Sequence, residues 1–182
     1  ADPRNEGAKL IDNTIVILTA ANGAEIKRKV ATGPYRSNKG TDYEGGHRVA
    51  FMVAWKNGGI APGSTSAAPI GLQDLYATFS EALGQPLPDL ANGEKGAEDS
   101  VSLLAAWRGE EGALKDRPPI FLNDHKESKE DPAVLAIRLD NPEVKGKRYE
   151  GHWKLFMDAQ LARFVEVTPT EFYDLATDQM EV

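Results

Sequence analysis

Cysteine is missing from all 182 residues, which excludes disulfides, thiolate metal sites and a cysteine nucleophile supplied by this chain. Long hydrophobic runs are missing too, since none approaches the roughly 20 apolar residues that span a bilayer. The opening Ala1-Asp2-Pro3-Arg4-Asn5-Glu6 carries neither the basic nor the apolar region of a signal peptide. Positive charge is in deficit. The net charge of −7 works against generic attraction to nucleic acid or anionic membrane and leaves room only for a local basic pocket. His47, His125 and His152 share no metal spacing and form no HExxH pattern, so zinc has no motif here, and phosphate loops of the P-loop or dinucleotide type are absent as well. No repeat of solenoid or propeller period occurs.

What remains is an ordinary globular composition, 41% hydrophobic and 27% charged, in a chain long enough to bury a core. It gives a class and no function. Ile15-Val16-Ile17-Leu18 and Val49-Ala50-Phe51-Met52-Val53-Ala54-Trp55 are apolar without alternation, the pattern of strands covered on both faces, and suggest one side of an α/β sheet. From Gly71 to Gly84 the apolar residues Leu72, Leu75, Tyr76, Phe79, Ala82 and Leu83 recur at helical spacing, and Gly84 and Pro86 end the helix. A shorter helix is predicted over Ser100–Arg108, capped by Asp99 or Ser100. After Gly109 the chain changes to short strand patterns at 119–122, 134–138, 153–157 and 172–175, which predict a small antiparallel sheet. The expected division is therefore 1–109, an α/β part, and 110–182, a small antiparallel β subdomain.

Chemistry concentrates in Asn38-Lys39-Gly40-Thr41-Asp42-Tyr43-Glu44-Gly45-Gly46-His47-Arg48-Val49, where charged groups sit beside exposed backbone. Upstream, the strand Asn13-Thr14-Ile15-Val16-Ile17-Leu18-Thr19 ends in Ala20-Ala21-Asn22-Gly23, at the position where open α/β sheets place ligands. Read alone, Lys39 is a solvated loop lysine and Asn22-Gly23 an ordinary turn pair. Trp55, Trp107 and Trp153 fall in apolar patterns and are expected in the core. The charge runs Lys27-Arg28-Lys29, Glu110-Glu111 and 125–131 read as solvated loops.

These segments occur in a recognisable order. After the first strand come Arg36-Ser37-Asn38-Lys39-Gly40-Thr41 and Tyr43-Glu44-Gly45-Gly46-His47-Arg48-Val49, then Gln73-Asp74-Leu75-Tyr76, Arg117-Pro118-Pro119, Ala136-Ile137-Arg138, Trp153-Lys154-Leu155 and Tyr173-Asp174-Leu175. From about Asp12 to Glu181 the set resembles the C-terminal portion of an arylsulfatase-like sulfatase of the alkaline phosphatase superfamily.

The resemblance implies hydrolysis of sulfate esters by a formylglycine nucleophile beside a bound calcium ion. It also implies a periplasmic or secreted setting. The nucleophile motif, Cys/Ser-x-Pro/Ala-x-Arg, and the paired N-terminal aspartates of the family do not occur in this sequence. A nucleophile-bearing N-terminal half is thus an implied partner, with self-association the alternative. Where the family has Asp-Asn-Gly, this chain has Ala21-Asn22-Gly23, so Asn22 retains one implied calcium ligand and Ala21 has lost the other. Lys39 matches the lysine that contacts the sulfate and stabilises the oxyanion, a task suited to a compact charge. Gly40, Glu44, Gly45, Gly46 and Arg48 match the loop scaffold, and His125 lies where the family's C-terminal subdomain reaches the substrate. The alternative implied function is a non-catalytic homologue acting as a binding or self-assembling protein.

Overall fold

A computed structural model describes residues 2–4, 6–25, 32–124, 133–159 and 167–182, so His125 and the runs 27–29 and 125–131 lie outside the described residues. In chain order the strands are β1 (Val16–Thr19), β2 (Phe51–Ala54), β3 (Ile120–Asp124), β4 (Ala133–Asp140), β5 (Glu143–Val144), β6 (Lys147–Arg148), β7 (His152–Ala159) and β8 (Val167–Asp174). The helices are α1 (Glu44–His47), α2 (Asp74–Ala82) and α3 (Leu104–Trp107). The chain forms two compact units interleaved in sequence: Ala1–Leu18 with Phe51–Arg117, and Thr19–Ala50 with Pro118–Val182.

The first unit gathers Leu103, Leu104, Trp107 and Leu114 into a buried cluster, against which Ile15, Ile17, Phe51 and Val53 pack from the β1–β2 sheet. Burial along both strands alternates, and Val16, Leu18 and Met52 are exposed. This corrects the expectation of strands covered on both faces. A sheet of two strands has one packed layer here, so the pleat turns every second apolar side chain to solvent.

Helix α2 is held by buried polar groups. The Asp74 carboxylate is fully buried and forks onto Arg117 at 2.7 and 3.2 Å, while accepting from the amides of Gly71 at 2.7 Å and Val101 at 3.1 Å. Ser100 was expected to cap the following helix, yet its hydroxyl accepts from the Ala77 amide at 2.9 Å and donates to the Gln73 carbonyl at 2.7 Å. It thereby bridges the Ala77 amide and the Gln73 carbonyl, the pair four residues apart that would otherwise close the first helical bond of α2. Helix α3 begins only at Leu104 and is one turn long. The Leu103 amide just before it donates to the buried Thr78 hydroxyl at 2.9 Å.

In the second unit the antiparallel order is β3-β4-β7-β8. The four segments predicted as short strands after Gly109 lie within these elements or, for Leu175 and Pro119, one residue beyond them. The pairing sorts side chains onto two unlike faces. One cross-strand row is Ile120, Arg138, Lys154 and Tyr173, and its neighbour is Leu122, Ala136, Phe156 and Glu171. This face holds the buried Ile120, Ala136, Lys154 and Phe156. The opposite face carries the row Phe121, Ile137, Leu155 and Phe172, of which Phe121 is 71% and Phe172 60% exposed. Trp153 belongs to that face, where it is half-buried and stacks on Phe172 at 5.1 Å, so it is packed but outside the buried side of the sheet. Its position in the alternation, odd like Leu155 and Met157, decides the matter.

Removing one member of the Asp74–Arg117 pair strands a buried charge. Asp74→Ala is expected to destabilise the first unit by about 3–5 kcal/mol, seen as a lowered urea midpoint, whereas the paired change Asp74→Leu with Arg117→Met recovers only the part due to the stranded charge, because the Gly71 and Val101 amides still lack their acceptor. An unchanged midpoint in Asp74→Ala would show that the pair contributes nothing.

Candidate functional site

The two segments singled out in the sequence, around Asn22 and around Lys39, meet in the second unit. Three glycines lace them together. The Gly23 amide donates to the Gly46 carbonyl at 2.7 Å, the Lys39 amide to the Ala24 carbonyl at 2.9 Å, and the Gly45 amide to the Arg36 carbonyl at 2.8 Å. A Cβ on Gly23 would stand 2.0 Å from the Gly45 oxygen, and one on Gly46 would stand 2.0 Å from the Thr41 oxygen. Only hydrogen fits at these crossings, so the backbones approach as closely as they do because the side chains are missing. Gly40 serves differently: its φ of +90° makes the turn after Lys39, and open space surrounds it.

Helix α1 closes this loop, and its first residue is the hub. Glu44 is fully buried, and its Oε1 lies 3.0 Å from the Lys154 Nζ and 3.2 Å from the His47 Nε2. Its Oε2 lies 3.3 Å from Arg48 and 3.6 Å from Arg138. Lys154, equally buried, reaches on to Glu181 at 2.7 Å. Glu181 in turn accepts the Glu44 amide at 2.6 Å, so the acid near the C-terminus holds the loop directly. Burial alone would raise the Glu44 carboxyl, but the His47 hydrogen bond and the charges of Lys154, His47 and Arg138 hold it well below the usual carboxylate range.

Arg36, Tyr43, Glu171 and Tyr173 fix the entry to the loop. Arg36 donates to Glu171 at 2.7 Å, to the Tyr173 hydroxyl at 2.9 Å and to the Glu181 carbonyl at 3.0 Å, and its guanidinium lies 3.8 Å from the Tyr43 ring centre. Tyr43 donates to Glu171 at 2.6 Å, and Tyr173 donates to the same carboxylate. Burial and then the Glu171 hydrogen bond push the Tyr43 hydroxyl up to about 12, so it stays protonated and donating.

Against this scaffold the residues expected to carry chemistry stand free of it. The Lys39 side chain is exposed, and so is Asn22, whose amide group donates to the Gly23 carbonyl at 3.0 Å. Ala21 beside it is exposed and offers no oxygen on its side chain. Among the described residues no group of three or more His, Cys, Asp or Glu is arranged to hold a metal ion. The two segments thus present one ammonium and one carboxamide on a backbone held by these hydrogen bonds. Sequence reading missed Lys154, Glu171 and Glu181 as partners of this loop. Lys154 had a signal, a lone charge set among Trp153, Leu155 and Phe156 in a strand pattern; Glu181 had none, because it meets Glu44 across 137 positions of chain.

Glu44 ties pH to stability. Its folded value is depressed, so its contribution is complete above the unfolded value near 4.3 and is lost as pH falls below that toward the folded value. Urea midpoints of the wild type are expected to fall more steeply than those of Glu44→Gln between about pH 4 and pH 2, and parallel curves would contradict this account.

Comparison with known proteins follows the same outline. Residues 7–85 match the family model described as Sulfatase. Human arylsulfatase A is 42% identical over 84 residues, which cover 44% of this chain and 16% of that protein. A sulfatase of Formosa agariphila is 28% identical over 183 residues, covering 97% of this chain and 30% of the relative. The dog N-acetylgalactosamine-6-sulfatase is 32% identical over 152 residues, covering 81% of this chain and 26% of the relative. The chain thus spans less than a third of the length of these relatives, yet the match includes every element of the loop described above: it is a member of the sulfatase family, within the alkaline phosphatase superfamily.

Proposed function

We propose that this chain is the C-terminal portion of a sulfatase-type hydrolase, acting on sulfate esters once a nucleophile-bearing N-terminal portion completes its site. The observation that carries the reading is the meeting of the Asn22 and Lys39 segments through Gly23 to Gly46 and Lys39 to Ala24. That contact puts a cationic and a carbonyl-bearing side chain on one preorganised loop. Lys39 orients the sulfate group and opposes the charge that gathers on its oxygens, at no cost of reorganisation because Gly40 and the glycine crossings already fix its backbone.

Calcium is the ion that the family resemblance implies. This chain's residues do not fit it on their own, since Ca²⁺ takes roughly six to eight oxygen ligands and Asn22 contributes one carboxamide oxygen beside the methyl group of Ala21. The remaining ligands would have to come from the completing portion. Ala21 also favours the second reading, a non-catalytic homologue that retains the loop as a binding or self-assembling surface. Among the described residues no helix is long and apolar enough to cross a membrane.

Turnover of a chromogenic aryl sulfate in calcium-containing buffer tests both readings. The purified chain alone is expected to be inactive, and addition of the unmatched portion of the Formosa agariphila sulfatase is expected to give turnover that Lys39→Ala lowers by about 10²–10³-fold, the usual loss on removing an oxyanion-stabilising donor. Turnover by the chain alone would overturn the proposal. A complex that forms but turns over only after Ala21→Asp would assign the natural chain to the non-catalytic reading.

A further inference from the structure

The hairpin β5–β6 belongs to no larger layer. It is a two-stranded sheet by itself, pairing Glu143 with Arg148 and Val144 with Lys147, and every residue from Glu143 to Glu150 is exposed. Two strands that bury nothing are marginal in water. Backbone ties hold this pair instead: the Tyr149 amide donates to the Pro142 carbonyl at 2.9 Å, the Asn141 amide to the Gly151 carbonyl at 2.9 Å, and the Gly151 amide to the Asn141 side chain at 2.8 Å. Lys145 and Gly146 make the turn with φ of +51° and +74°, the two left-handed positions of a type I′ turn. Asn, Asp or Gly fills the first of these at least cost, and a lysine there is strained. The chain accepts that strain and gains an ammonium at the tip.

Alternation sorts the remaining side chains onto two unlike faces. Glu143, Arg148 and Glu150 share one, where Arg148 lies 3.4 Å from Glu150 and opposite charges offset each other. Pro142, Val144, Lys147 and Tyr149 share the other, and none of them is acidic. There the Lys147 Nζ lies 4.9 Å from the Tyr149 ring centre, while Val144 is 53% and Tyr149 42% exposed. A loop selected only for solvation would carry acids and lysines on both faces. This one segregates them.

We infer that the Val144–Lys147–Tyr149 face of this hairpin, with Lys145 at its tip, is a binding site for an acidic polysaccharide. A charged sugar has two characters, an anionic substituent and a ring face of C–H groups. Lys145 and Lys147 meet the first as compact charges, and Val144 and the open part of the Tyr149 ring meet the second. Because the Lys147 ammonium already lies beside that ring, an anion held by it brings its sugar against the aromatic edge. Nucleic acid fits less well, since base stacking needs a free ring face and Lys147 occupies one side of Tyr149. The net charge of −7 repels an extended anionic surface such as a membrane, and it leaves a flexible polymer to be held by this local contact alone. The site stands on the hairpin by itself. That the bound polymer is also the sulfate ester to be hydrolysed rests on the proposed function.

Fluorescence anisotropy of labelled dextran sulfate, polygalacturonate, neutral dextran and a single-stranded DNA oligonucleotide, each titrated with the purified chain, provides the test. An acidic polysaccharide is expected to bind with an affinity that falls as salt rises, and neutral dextran is expected not to bind. Tighter binding of dextran sulfate assigns sulfate as the group recognised and tighter binding of polygalacturonate assigns carboxylate; either supports the inference. Lys145→Ala and Lys147→Ala should each weaken binding by about tenfold and flatten its salt dependence. Tyr149→Ala should weaken it by roughly tenfold and leave the salt dependence as it was, because an uncharged contact releases no counterions. All three side chains are exposed, so circular dichroism should report an intact fold in each variant. Lys95→Ala, at an exposed lysine of the other unit, should bind as wild type. Absence of binding to both acidic polysaccharides overturns the inference, as does equally tight binding of the DNA or indifference to the three hairpin variants. Binding is read on the chain alone, so a failure of complemented aryl sulfate turnover removes the catalytic reading and leaves this site standing, and a failure of polysaccharide binding does the reverse.

Discussion

A lysine ammonium with no access to water sets the terms for the second unit. Lys154 points from the middle of β7 into a space closed by Glu44 on one side and Glu181 on the other, at 3.0 and 2.7 Å. Desolvating such a group costs several kcal/mol, which its partners return only if both stay in place. The charge therefore works as a register pin. A slip of β7 by one residue against β4 or β8 would carry Lys154 to the apolar face, taking from the buried Glu181 its cation and from Glu44 the nearest of its own. Each of the three groups comes from a different part of the chain, so the loop, the sheet and the segment before Val182 become ordered together or not at all.

The polarity of the sheet follows from that pin. The loop it receives is built of glycine, whose crossings at Gly23, Gly45 and Gly46 leave no side chains to form an apolar layer. What the loop offers instead is the Glu44 carboxylate, the Tyr43 ring on Phe156 at 4.7 Å and the Arg36 guanidinium, and the sheet answers with Lys154, Arg138, Glu171 and Tyr173. Hydrogen bonds to charged groups each contribute a modest net amount, so such an interface gains specificity more than stability. The hydrophobic gain that a sheet of four strands would ordinarily supply lies on the other side, at Ile137 and Leu155, where it is only half realised.

How much of this could be read from the sequence depended on the range of the interaction. Local periodicity located α2 within three residues at its start and two at its end, and the apolar and aromatic runs located β3, β4, β7 and β8, because propensity and pattern act over a few residues. The charged glycine-rich segment announced itself by composition. The side chains that order it did not, since Arg36 meets Glu171 and Glu44 meets Glu181 over more than a hundred positions, and no local pattern encodes such a pairing. Ser100 misled for the opposite reason: its local context is that of a cap, but its hydroxyl is taken up between the Ala77 amide and the Gln73 carbonyl of the preceding helix. The non-alternating β1 and β2 runs likewise describe strands covered on both faces, whereas these two strands have one covered face.

Scaffold and chemistry are separable in this loop, and that separation explains how the two can part company. Every strong contact is made by backbone or by residues that point away from the open side: Gly23, Gly45 and Gly46 by their amides and carbonyls, Glu44 by its carboxylate, Lys39 by its amide alone. Ala21, Asn22 and the Lys39 side chain bear none of that load. The side chain at position 21 can thus change without cost to the fold, because the exposed methyl group there makes no hydrogen bond of the scaffold. The converse also holds. The network of Glu44, Lys154 and Glu181 holds the loop in place whatever side chain stands at position 21, so the order of the loop is a property of its scaffold and by itself carries no chemistry.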